Sequence, residues 1–135
     1  MTWRIALYWL FGLTWALVVG HLATKFVLNR IRAFLVAART AAGDTSTPPW
    51  SIGTGVPSWL TGTIERLFFT VAVAFDLSGV ATAMMTWMLI KLAANWNRPT
   101  APPDPVGALA LSAALGGLAS MFFAMTGGMI CRPPR

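Results

Sequence analysis

The chain has little of what polar chemistry needs. It holds one cysteine (Cys131), one histidine (His21) and four acidic residues in 135. With one cysteine there is no intrachain disulfide. With one histidine as well, there is no ligand set for a Cys/His zinc site or a Cys-held iron–sulfur cluster. Charge is scarce overall, at 10% of residues against the roughly 25% usual in soluble domains. There is no Gly-rich phosphate loop, no nucleophile elbow and no HExxH, so the reading is of a non-enzyme with no catalytic residue, metal or cofactor.

What is present is apolar. Hydrophobic residues make up 56% of the chain and the mean hydropathy is +0.66. That composition predicts an all-α integral membrane protein, one membrane domain over 1–135. The formal net charge of +6 comes from basic residues that mostly flank apolar runs. This fits anionic lipid headgroups and a cytoplasmic bias better than nucleic acid, for which no signature occurs.

The first apolar run, IALYWLFGLTWALVVG, is followed by no convincing cleavage site and reads as an uncleaved signal-anchor helix of about 3–22. The pattern continues as an amphipathic helix to 41. Lys25, Arg30, Arg32 and Arg39 lie in this continuation and are expected at lipid headgroups, with the loop 23–57 cytoplasmic. Proline and glycine then interrupt at 43–57 and 97–105, which read as loops.

Between these loops two readings compete. In one, a continuous helix over 64–96 gives three spans and strands Asp76 near the bilayer centre, where a charge costs about 2.5–3.5 kcal/mol. In the other, the chain turns at DLSG (76–79), giving helices 58–75 and 78–96 and four membrane-embedded helices in all. Asp, Ser and Gly are turn and cap residues, which accounts for Asp76 simply. The last helix, 106–128, carries no charge. Ala108, Ser112, Gly116, Ser120, Ala124 and Gly128 recur every four residues along it, a small-residue stripe that lets helices approach closely.

Gly62, Glu65, Arg66, the DLSG turn, Lys91 with Trp96 and the Gly/Ser-rich last helix together resemble a pattern of uncharacterised multi-pass bacterial membrane proteins. The resemblance covers residues 62–128. It implies the hairpin and a bacterial inner membrane, and it implies no activity.

Glu65, Arg66, Asp76 and Lys91 are the ionisable residues of interest between the loops. Glu65 and Arg66 are neighbours, so they point about 100° apart and cannot pair well with each other. Asp76, Lys91 or helix-end carbonyls are the candidate partners. The expected function is an accessory or scaffolding subunit that binds anionic lipid and packs on other membrane subunits or on itself. The alternative is an oligomeric transporter or channel protomer with Glu65, Arg66 and Asp76 along a polar path.

Overall fold

A computed structural model describes residues 2–43, 57–96 and 108–132. Most of the expected 43–57 and 97–105 loops lie outside the described residues.

Among the described residues the protein is all-α, with four helices. Helix α1 runs as Thr2–Thr14, a π-helical segment Trp15–Val19, and Gly20–Ala41. Helix α2 is Ser58–Ala74, α3 is Val80–Trp96 and α4 is Ala108–Cys131. The stretches Trp3–Ala41 and Ala110–Cys131 are each long and apolar enough to cross a membrane, and Val80–Ala94 is apolar but shorter. At 1.5 Å per residue α4 measures about 36 Å and α1 about 60 Å, roughly twice a bilayer's hydrocarbon core.

The chain does not run as one helix over 64–96. It stops at Ala74 because the segment after it forms a Schellman cap. The Leu77 N–H donates to the Ala72 carbonyl and the Asp76 N–H to the Val73 carbonyl, at 3.2 and 3.0 Å. Asp76 occupies the left-handed position of that cap, with φ 57°. Asp is one of the few non-glycine residues that tolerates this conformation. Gly79, at φ 79°, turns the chain into α3, and its carbonyl receives the Ala83 N–H at 2.9 Å. Asp76 therefore ends α2 rather than capping the start of α3.

Helix α4 is the centre of the bundle, with α1, α2 and α3 all packed on it and α2 and α3 touching each other little. Close approach explains its small residues. A Cβ added at Gly127 would lie 2.7 Å from the Gly12 carbonyl oxygen, and one at Gly128 would lie 2.5 Å from the Val73 Cβ. These neighbours also give the directions. Gly127 meets Gly12 and Ala16, while Gly116 meets Leu28, so α1 runs antiparallel to α4. Gly128 meets Thr70 and Val73 and Ser120 meets Arg66, so α2 runs parallel to it, and Gly117 meets Met88 on the returning α3. Phe69, Val73, Met84 and Ala124 form the small apolar core where α2, α3 and α4 meet.

The outward sides of the helices are apolar. Phe11, Leu22, Phe26 and Phe34 on α1, Ile64 and Phe68 on α2, Leu89 and Ile90 on α3, and Phe122 and Met129 on α4 are all exposed. Exposed apolar surface of this extent marks contact with a membrane or with another protein.

Candidate functional site

The charged residues singled out in the sequence fall into three separate arrangements. Glu65 faces α3. Lys91 Nζ donates to both of its carboxylate oxygens at 2.9 Å, with 28% of the lysine side chain and 11% of the glutamate side chain exposed. The pairing is possible because the DLSG turn folds α3 back along α2. It joins residues 26 apart in sequence.

Arg66 points about 100° away from Glu65, into the bundle, and is only 2% exposed. Its Nη1 donates to Ser120 Oγ of α4 at 3.2 Å. Its Nε and Nη2 are buried and have no hydrogen-bond partner among the described residues. The side chain lies over two glycines. A Cβ at Gly20 would sit 3.2 Å from Arg66 Cδ, and one at Gly62 would sit 3.5 Å from Nη1. Glycine at these positions leaves room for the guanidinium between α1, α2 and α4. Arg66 is thus an interior residue and does not reach out to headgroups.

Asp76 lies eleven residues beyond Glu65, about 16 Å further along the α2 direction at helical rise. Its carboxylate pairs with Arg132 Nη2 at 2.8 Å. Arg132 also donates from Nε to the Val73 carbonyl at 2.9 Å. The end of α4 is therefore tied to the end of α2. Arg132 was not among the residues the sequence marked, although a basic side chain just past an uncharged helix, facing a helix C-terminus, was a usable signal.

Of the basic residues on the second half of α1, Lys25 and Arg30 are exposed, and Arg30 stacks over the Phe26 ring at 5.2 Å. Arg32 and Arg39 are half-buried, and Arg32 Nε is buried without a partner among the described residues. Phe26 and Phe34 point outward instead. The expected basic outer face is therefore split. The side of α1 that faces α4 runs through Gly12, Ala16, Gly20, Thr24 and Leu28, and it carries part of the basic set with it.

The described side chains of the α4 stripe, Ser112, Gly116, Ser120, Ala124 and Gly128, are all buried. They face inward, against α1 and α2, so the close packing they permit is within this chain. Sequence reasoning also missed two polar groups of this interior. Thr24 and Thr70 are buried, and the hydroxyl of each lacks a partner among the described residues. A further tie, Trp15 Nε1–H to Thr126 Oγ1 at 2.9 Å, holds the π segment to α4.

No group of three or more His, Cys, Asp or Glu side chains converges among the described residues. Cys131 is buried. No family model, curated protein or solved structure matches the chain.

Proposed function

We propose that this chain is a small multi-pass membrane protein with all four helices embedded in the bilayer. It acts without catalysis, as an accessory or scaffolding subunit of a membrane complex. The observation that carries this reading is the use of both described carboxylates. Glu65 is held by Lys91 and Asp76 by Arg132, at different heights and on different sides of the bundle. A transport path would need these groups along one lumen, available to a moving ion. Carboxylates already held in pairs between helices are instead unavailable to a moving ion, and the Glu65–Lys91 pair helps hold α2 to α3.

The apolar outer sides of α1 and α3 supply surface for lipid and for other membrane helices. The small-residue stripe is occupied inside the chain and is not the docking face. The end of α1 that carries Lys25, Arg30, Arg32 and Arg39 is directed to the cytoplasmic side by the positive-inside bias. In this reading the turn at 75–79 lies on the opposite side, in a bacterial inner membrane.

Purification in a mild detergent followed by identification of co-purifying chains tests the reading. A stoichiometric membrane partner, or a defined homo-oligomer, is the expected result. A clean monomer without a partner contradicts it.

A further inference from the structure

Arg66 is 2% exposed and has no carboxylate in ion-pair contact among the described residues, a costly charge in a low-dielectric interior. The two described acids are committed to Lys91 and Arg132. The unused part of Arg66 is specific. Its Nη1 is spent on Ser120, and Nε and Nη2 are left over. Those two nitrogens form the edge on which two N–H bonds run side by side. That edge matches two oxygens of one phosphate or carboxylate.

The surroundings repeat the message. The guanidinium leans back over Gly62, toward the Ser58 end of α2. On α1, the residue one turn beyond Gly20 in that direction is Thr24, whose buried hydroxyl is also unpartnered. About 12 Å further along α1 is Arg32, with its buried Nε that has no partner among the described residues. Helix α1 meets α2 chiefly over its π segment and makes little contact with it beyond. Lys25 and Arg30, on the same half of α1, are exposed.

We propose that Arg66, with Thr24, forms an oxyanion site between α1 and α2, and that its occupant is a phosphate group. An anionic lipid headgroup is one source of such a group. Free inorganic phosphate shares the chemistry, and the test separates the two. The lipid source rests on the membrane-embedded reading, whereas the oxyanion site itself does not.

The test uses the full chain, washed in mild detergent. Bound lipid is counted by phosphorus and mass spectrometry, and thermal stability is followed while phosphatidylglycerol or inorganic phosphate is titrated, with chloride as control. A lipid site predicts about one retained phosphatidylglycerol per chain and a saturable stabilisation by it. Arg66→Lys keeps the charge but loses the side-by-side donors and should weaken binding about tenfold. Thr24→Val loses no existing hydrogen bond, should fold normally, and should weaken binding in the same direction. Lys25→Gln/Arg30→Gln should retain the bound lipid. Saturable stabilisation by inorganic phosphate alone, lost in Arg66→Lys, assigns the site to the free anion. Two results overturn the proposal. One is no saturable response to either probe with wild type, Arg66→Lys and Thr24→Val alike. The other is lipid lost on changing Lys25 and Arg30 but kept in Arg66→Lys. Resistance of the chain to alkaline extraction from membranes reads the embedding separately, so failure of that reading is distinguishable from failure of the site.

Discussion

Lys91 Nζ sits 2.9 Å from each carboxylate oxygen of Glu65, and this pair is the ionic tie between α2 and α3 among the described residues. It matters because those two helices otherwise touch little and are joined by a short turn.

Glu65→Gln should therefore loosen the α2–α3 hairpin. Breaking a fully buried pair costs about 3–5 kcal/mol, but Lys91 keeps part of its side chain exposed, so about 1–3 kcal/mol is expected. The reversed pair Glu65→Lys/Lys91→Glu should recover much of the loss. Unfolding of the purified protein in mixed micelles measures both. A double reversal as unstable as the sum of its parts would argue against the pairing.

Gly128→Ala should cost about 1–3 kcal/mol, because its Cβ would lie 2.5 Å from Val73 Cβ and 2.7 Å from the Thr70 carbonyl oxygen, so backbone must move. Gly117→Ala makes the contrast. Its Cβ would meet only Met88 Cγ, at 3.7 Å, and helix propensity then favours alanine by up to about 1 kcal/mol. The same unfolding measurement should separate the two glycines by sign.

Asp76 serves by its backbone more than by its charge. Its side chain is 65% exposed, so the pair with Arg132 contributes little. Asp76→Asn and Asp76→Gly should stay within about 0.5 kcal/mol of wild type. Asp76→Val should lose about 1–2 kcal/mol, the cost of a β-branched residue at positive φ. A large loss in Asp76→Asn would assign the weight to the ion pair instead.

The hairpin was legible in the sequence because DLSG carries turn chemistry that outweighs an unbroken apolar pattern. Lys91 was legible as a candidate for Glu65, but only the folded-back α3 selects it over Asp76. The inward course of Arg66 was not legible. A charged residue next to an apolar run reads as interfacial, and only the paired glycines on α1 and α2, 42 residues apart, reveal a place for it inside. The π segment at Trp15–Val19 was invisible too, since an inserted residue leaves no mark in an already apolar run. Lys25, Arg30, Arg32 and Arg39 all lie beyond it in regular helix, and which of them turn inward is set by how α1 packs on the bundle.

The central claim is a four-helix bundle embedded in a bilayer, with the 75–79 turn on the side opposite residues 43–57. Single-cysteine labelling in intact membrane vesicles of known orientation tests it most directly. In a Cys131→Ser background, Ser78→Cys and Ser46→Cys are exposed to a thiol reagent that cannot cross the membrane. The account predicts that each is labelled from one side only, and from opposite sides. Labelling of both from the same side, or protection of Ser78→Cys from both, would contradict it.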